Sequence, residues 1–199
     1  MIKAIDVIEH AKYGELKQLA IKSYDQSIYS FLNLGLIELY KRFNISLKVE
    51  VKNTHPDVKV YDLRNSDINQ VLAIYNSEGN PLTYKRVTGE QLYDITQLSH
   101  VSFLFRNPVE DEIFFLYKAS PKRIKEEEDL VEIPDDMLEA LLNYIGYRGQ
   151  VTMNKQNNLQ TPMINFYKMF EKSCFELEQR GYGLEMFDLE KNIHDQGFV

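Results

Sequence analysis

Apolar residues recur at intervals of three and four over residues 25–43, which predicts an amphipathic helix. The stripe consists of Ile28, Phe31, Leu32, Gly35, Leu36, Leu39 and Phe43. The other side of the same helix carries four more apolar or aromatic residues, Tyr29, Leu34, Ile37 and Tyr40. Its apolar surface is therefore wider than one core contact requires, so we expect a helix between two layers or a face that meets another chain. A shorter helix is predicted from Ile2 to about Ala11.

The hydrophobic period changes to two between residues 45 and 120, which predicts strands. Alternating or β-branched runs occur in SLKVEVK, VKVYDL, VSFLF and EIFFLYKA. Gly79, Asn80 and Pro81 form a turn signal between QVLAIYN and LTYKRV and predict a hairpin that joins these two segments.

Helical spacing returns after residue 120. Pro134 followed by Asp135 and Asp136 predicts a helix start, because proline fits the first turn and carboxylates stabilise the positive end of the helix dipole. The buried stripe expected for this helix is Leu138, Leu141, Leu142, Ile145 and Gly149, with Ala140 and Gly146 leaving room for a neighbour.

A second C-terminal helix is predicted over residues 164–178. Thr161 is the expected cap, Pro162 occupies the first turn, and Gly181 is placed to end the helix in a left-handed conformation. The two C-terminal helices predict an αα-hairpin.

Together these patterns predict an α+β fold, in which a helical bundle of N-terminal helices and the C-terminal αα-hairpin carries an inserted, mostly antiparallel β unit. The expected segments are residues 1–44 for the N-terminal helices, 45–120 for the β unit, 121–181 for the hairpin and 182–199 for an extended tail. Apolar residues are dense among the charges of the tail, so we expect it to dock on a neighbouring molecule. The alternative is that the tail packs on its own bundle.

Composition narrows the functional classes. The chain has 199 residues, of which 44% are hydrophobic and 27% charged, as in an ordinary globular protein. A net charge of -7 disfavours binding to a phosphate backbone. No run approaches the roughly 18 apolar residues that span a bilayer. The single Cys174 excludes an internal disulfide and favours a reducing compartment.

Candidate chemistry is sparse. The histidines, His10, His55, His100 and His194, are scattered without metal-ligand spacing. Cys174 lies mid-helix and is expected to pack rather than react. The acidic run at residues 126–129 could bind a hard cation, but a solvated loop explains it better because the spacing of a calcium loop is missing. We expect no catalytic residue, no metal and no cofactor.

The arrangement as a whole resembles the head-to-tail connector proteins of tailed bacteriophages, also called adaptor or head completion proteins, and those of short-tailed phages in particular. The resemblance covers residues 1 to about 183 and is carried by GELKQLA, FLNLGLIELYKRFN, EIPDDMLEALLNYIGYR and FELEQRGYG. The best matched stretches are residues 34–43 and 133–148.

This resemblance implies a structural virion protein, not an enzyme. Identical subunits would form a ring, a dodecamer, in the neck between the portal protein and a tail or nozzle protein. The ring would help to retain packaged DNA, which passes through without specific binding, and it would contact no membrane. The location implied is the neck or tail region of the virion, after synthesis in the host cytoplasm.

Residues expected at the subunit or portal interface are aromatic or apolar side chains on the helices and in the tail. They are Tyr29, Ile37, Tyr40, Tyr144, Tyr147, Leu184, Met186, Phe187, Leu189, Ile193 and Phe198. Two other functional classes stay open. One is a non-viral protein-binding module that uses the β unit as a platform, and the other is a small hydrolase that uses acidic residues.

Overall fold

A computed structural model describes residues 2–17, 27–65, 67–86, 95–157 and 165–182. Within these ranges the chain divides into two compact units. The first unit runs to Ile45 and resumes at Pro121, and the second is Ser46–Ser120. Each unit has a hydrophobic core of its own.

The first unit combines helices with a small sheet. Its helices are α1 (Ala4–Tyr13), α2 (Ser27–Arg42), α3 (Leu138–Asn157) and α4 (Phe166–Leu177). Strand β1 (Ile2–Lys3) pairs antiparallel with strand β9 (Leu130–Val131). Helix α3 contacts each of the other three helices. It is therefore the central element of this unit.

The predicted helical bundle built on N-terminal helices is wrong. The fold is a mixed α+β fold, and in the described residues strand β1 precedes the first helix. The main-chain N–H groups of Ala4 and Ile5 donate to the carbonyl oxygens of Asp129 and Glu127 at 2.8 and 3.0 Å. The first N–H groups of a helix have no acceptor within the helix. Residues 127–129 supply those acceptors, and this contact aligns β1 beside β9.

Helix α2 follows the predicted spacing closely. The expected stripe from Ile28 to Phe43 is buried, as the periodicity predicted, and Tyr40 is buried with it. The Tyr40 hydroxyl donates to the carbonyl oxygen of Glu132 at 2.7 Å. The side of α2 that carries Tyr29, Leu34 and Ile37 is partly or well exposed.

The start of α3 is where the sequence placed it. Pro134 precedes a 3-10 turn, Asp135–Met137, that continues into α3. The buried face of α3 differs from the predicted stripe, because Leu138 and Leu142 are only partly buried, whereas Asn143 and Gln150 are buried. Asn143 donates to the hydroxyl of Ser173 on α4 at 3.3 Å, which satisfies part of its amide.

Helix α4 starts later than predicted. Asn165 is its cap, and the Asn165 side chain accepts a hydrogen bond from the main-chain N–H of Lys168 at 3.0 Å. The predicted cap Thr161 and first-turn Pro162 lie outside the described residues. The left-handed end is confirmed, since Gly181 has φ +91°.

The second unit consists of two sheets. The strands are β2 (Leu47–Thr54), β3 (Val60–Asp62), β4 (Ile68–Tyr75), β5 (Tyr84–Arg86), β6 (Ile95–Gln97), β7 (Ser102–Phe105) and β8 (Asp111–Ala119). One sheet has the order β2-β8-β4 and the other β3-β7-β6-β5. Every pair is antiparallel except β5 and β6, which run parallel.

Aromatic residues fill the core of the second unit. The rings of Phe103 on β7 and Phe115 on β8 lie 5.0 Å apart, and Tyr61 packs edge-on against Phe105 at 5.3 Å. The Phe103–Phe115 pair joins the two sheets of this unit, whereas Tyr61 and Phe105 lie on neighbouring strands of one sheet.

The predicted hairpin between QVLAIYN and LTYKRV forms only at its turn. Gly79 adopts φ +78°, and Tyr75 bridges Pro81 in antiparallel fashion. Beyond this turn, β5 does not continue the pairing with β4 but pairs with β6 in the other sheet. The turn signal was local and correct, whereas the strand pairing is set by residues further along the chain.

Candidate functional site

An open groove of about 830 Å³ runs along the outer side of α2. One wall is the exposed side of α2, and the other is the segment of residues 121–125 that precedes β9. The lining residues are Tyr29, Ser30, Asn33, Leu34, Ile37, Pro121, Arg123, Ile124 and Lys125. All of them belong to the first unit, so the groove is complete within one folded unit.

Asn33 holds the two walls of the groove together. Its amide nitrogen donates to the carbonyl oxygen of Ile124 at 2.8 Å, and its amide oxygen accepts from the main-chain N–H of Ile124 at 2.8 Å. The same nitrogen also donates to the carbonyl oxygen of Tyr29 at 2.7 Å. A side chain that bonds both polar groups of one residue fixes an irregular segment as a neighbouring strand does. The groove is therefore built into the fold.

The two walls of the groove differ in chemistry. Leu34 is partly exposed and Ile37 retains 38% of its surface, so the α2 wall offers apolar area to a partner. Arg123 and Lys125 are exposed on the opposite wall, while Ile124 between them points into the core. An apolar strip beside two cations suits a partner that carries apolar and acidic side chains.

The end of the groove at Tyr29 is acidic. Burial, followed by the charges of Glu127, Asp129 and Glu126, raises the pKa of the Tyr29 hydroxyl. The main-chain N–H groups of Lys125 and Glu126 donate to the Asp129 carboxylate and lower its pKa. The groove thus changes from positive at its middle to negative at this end.

A second hollow, of about 400 Å³, lies between α2, α3 and α4. Tyr147 forms its aromatic centre, 5.8 Å from Tyr144 and 5.1 Å from Tyr167 between ring centroids. Tyr144 also packs edge-on against Phe170 at 5.1 Å. These contacts bring residues of α3 and α4 into one aromatic cluster.

Ion pairs border this second hollow. Arg42 donates to the Glu171 carboxylate at 2.9 Å and to Glu178 at 2.7 Å, which ties α2 to α4 and to the turn after it. Hydrogen bonding to Glu178 raises the pKa of Arg42. The Nε atom of Arg148 is buried and has no hydrogen-bond partner among the described residues.

A third cluster, in the second unit, was not anticipated from the sequence. Tyr117 accepts from the Asn65 amide at 3.1 Å, and its hydroxyl lies 3.4 Å from Asp67, which also pairs with Lys48 at 2.6 Å. These residues border a shallow hollow. No spacing in the sequence indicates the cluster, because its members come from separate strands and loops.

The predicted interface residues fall into several places. Tyr29 and Ile37 line the groove beside α2, and Tyr144 and Tyr147 line the second hollow. Tyr40 is 2% exposed and makes its contacts inside its own unit. The tail residues Leu184, Met186, Phe187, Leu189, Ile193 and Phe198 lie outside the described residues.

The sequence did not indicate the wall at residues 121–125 as part of a site. The exposed charges of Arg123 and Lys125 are typical of a solvated loop. The signal that could have been used is Pro121 and Ile124, apolar residues spaced within a charged run.

The remaining candidate nucleophile, Cys174, has a structural role. Cys174 is fully buried in the core of the first unit, and burial raises the pKa of its thiol to about 12. No cluster of three or more potential metal ligands occurs in the part of the chain that the structure describes. Within the same ranges, no helix has the length and hydropathy needed to cross a bilayer.

Comparisons with known proteins give no family assignment. The chain matches no protein-family model, and no curated protein matches it significantly.

Proposed function

We propose that this protein is a structural subunit of the bacteriophage neck, a head-to-tail adaptor that forms a ring between the portal protein and a tail or nozzle protein. The observation that carries the proposal is the half-apolar groove along α2, because a ring subunit needs a shaped surface for its neighbour. In this proposal the ring, a dodecamer, helps to retain the packaged DNA without binding it specifically.

The two stretches that carry the resemblance to adaptor proteins also pack against each other. Residues 34–43 lie on α2 and just beyond it, and residues 133–148 lead into α3. A Cβ atom placed at Gly35 would lie 2.6 Å from Leu141 Cδ1 and 3.2 Å from Tyr144 Cδ1, which shows how closely the two helices approach. The two stretches that carry the resemblance therefore form one packed contact. The first of them also includes Leu34 and Ile37 on the exposed side of α2.

The exposed side of α2 suits a subunit interface energetically. Burial of apolar surface contributes roughly 25 cal/mol per Å², and Tyr is among the residues that dominate interface energies. Tyr29 and Ile37 both border the groove. A partner that covers them would remove apolar area from water without any rearrangement of the core.

The test is the mass and shape of the purified full-length chain. Light scattering after size exclusion should give one discrete, high multiple of the 23.4 kDa chain mass, and electron microscopy should show rings. Ile37→Asp should lower the assembled fraction at least tenfold, since it places a charge in an apolar interface. Val109→Asp is the matched control, because Val109 is 63% exposed and belongs to the second unit.

Two results contradict the proposal. A chain that stays monomeric at every concentration and hydrolyses an ester or phosphate favours the hydrolase. A monomer that binds a peptide through the second unit favours the protein-binding module. Equal loss of assembly in both aspartate variants would show that the α2 surface is not the contact.

A further inference from the structure

The groove beside α2 has a charge order that one segment of the chain matches. The α2 wall of the groove is apolar, the opposite wall carries the cations Arg123 and Lys125, and the acidic run at residues 126–129 lies near Tyr29 at one end. Any extended partner must present acids to the middle of the groove and a cation toward the Tyr29 end.

Residues 184–191 have this composition. Apolar side chains alternate with three acids, Glu185, Asp188 and Glu190, and a cation, Lys191, follows directly. The apolar members of this stretch are Leu184, Met186, Phe187 and Leu189. The segment can therefore offer apolar side chains to α2, acids to the basic wall and a cation to the acidic end.

The groove could receive the tail of its own chain or the tail of another copy, and the position where the tail begins bears on this choice. Tyr182 is held by its hydroxyl, 3.3 Å from Asp136, just beyond α4. Helix α4 meets α2 at Arg42, whereas the groove includes Ile37. Five residues of helix separate these two positions, so they lie about 140° apart around the α2 axis. A tail that fills the groove of its own chain must first cross around α2.

We propose that the groove beside α2 receives residues 184–191 from the tail of a second copy of this chain. This inference rests on the proposed function, because a ring supplies each groove with a neighbouring tail. Residues 184–191 reach about 26–29 Å when extended, while the groove spans about 12 Å between Tyr29 and Ile37. The segment is therefore long enough to line the groove along its whole length.

The experiment uses the natural full-length chain. Isotope-labelled and unlabelled chains are diluted, mixed, concentrated and treated with a carbodiimide, which links an amine to a carboxylate only where the two are in contact. Mass spectrometry should find Lys125 joined to Glu185, Asp188 or Glu190. About half of these linked pairs should combine a labelled with an unlabelled peptide, as random mixing of copies requires.

Charge reversal tests the same contact without a cross-linking reagent. Arg123→Glu with Lys125→Glu should raise the concentration needed for assembly by about tenfold, because like charges then face each other. Adding Asp188→Lys and Glu190→Lys should restore assembly. Lys122→Glu is the matched control, since Lys122 is exposed in the same segment but does not line the groove.

The outcomes distinguish this inference from the proposed function. Linked pairs of one isotope only would show that each tail fills its own groove. Rings that form without any link between Lys125 and the tail would overturn the inference and leave the adaptor proposal standing. A chain that never assembles, whatever its cross-links, would overturn the adaptor proposal and this inference with it.

Discussion

Gly146 on α3 lies where α4 and the turn after α1 leave no space for a side chain. A Cβ atom at this position would lie 2.9 Å from Phe166 Cδ1 and 3.0 Å from Glu15 Cβ. The sequence indicated a small residue here for the approach of a neighbour, and the structure supplies the neighbour. The glycine therefore serves helix packing more than backbone freedom.

Gly146→Ala should lower the free energy of unfolding by about 1–3 kcal/mol, because the added methyl group overpacks the site. The intrinsic helix propensity of alanine acts in the opposite direction by about 1 kcal/mol. Chemical denaturation measures the difference. Combining Gly146→Ala with Phe166→Leu provides the control, since the smaller side chain removes one of the two contacts. If Gly146→Ala stabilises the natural chain, the packing argument is wrong.

The buried thiol of Cys174 gives a pH-dependent prediction. Its pKa is about 12 in the folded state, above the ordinary value of 9.0, so unfolding eases the release of its proton. Below pH 9 both states hold the proton, and the thiol makes no pH-dependent contribution. Between about pH 9 and 12 the free energy of unfolding should fall as the pH rises.

Cys174→Ser is the variant that isolates this effect, because serine does not titrate in this range. We expect the variant to fold and to assemble like the natural chain. The difference in unfolding free energy between the two chains should be constant below pH 9 and should shrink above it. Urea titrations across that range measure it, and a difference that does not change with pH would contradict the prediction.

At the scale of elements, the sequence predicts those helices and strands that are determined by residues close together in the chain. The spacing of Ile28, Leu32 and Leu39 placed α2, because one helix turn relates such residues. Strand β1 could not be predicted in this way. It has two residues, and its partner β9 lies more than 120 positions later in the sequence.

The same distinction explains the candidate site. Tyr29 and Ile37 were identified as interface residues from the excess apolar surface of α2. The opposite wall was not, since residues 121–125 approach α2 through the side chain of Asn33, across 91 positions of sequence. A contact of that separation has no local pattern, and a polar residue within an apolar helix gives only a weak signal.

Replacing residues 76–81 with a short Gly-Ser turn should affect the second unit alone. The natural turn uses the Asn76 side chain, which accepts from the main-chain N–H of Asn80 at 2.7 Å, and the positive φ of Gly79. Loss of these contacts should weaken β4. The first unit has a separate core, so α2 and α3 should keep their packing.

Hydrogen exchange followed by mass spectrometry measures this prediction. Amides of β4 should exchange faster in the variant, while those of α2 and α3 should exchange as in the natural chain. Faster exchange throughout α3 would show that the two units unfold together.

At the scale of the whole molecule, assembly and folding draw on different surfaces. The buried stripe of α2 stabilises the first unit, and the groove on its other side is left for a partner. Apolar groove residues that stay half-exposed contribute little to folding, because folding removes little of their surface from water. Changes to the tail or the groove should therefore act on assembly.

Deleting residues 187–199 tests this separation. We expect the truncated chain to fold and to melt within about 2 °C of the natural chain, since a loss of less than 1 kcal/mol shifts the melting temperature by only a few degrees. Ring assembly should be lost, because the truncation removes Asp188, Glu190 and the apolar residues between and around them. Calorimetry measures the first result and light scattering the second. A large fall in melting temperature with rings intact would show instead that the tail packs on its own subunit, and the deletion would then have removed part of the fold.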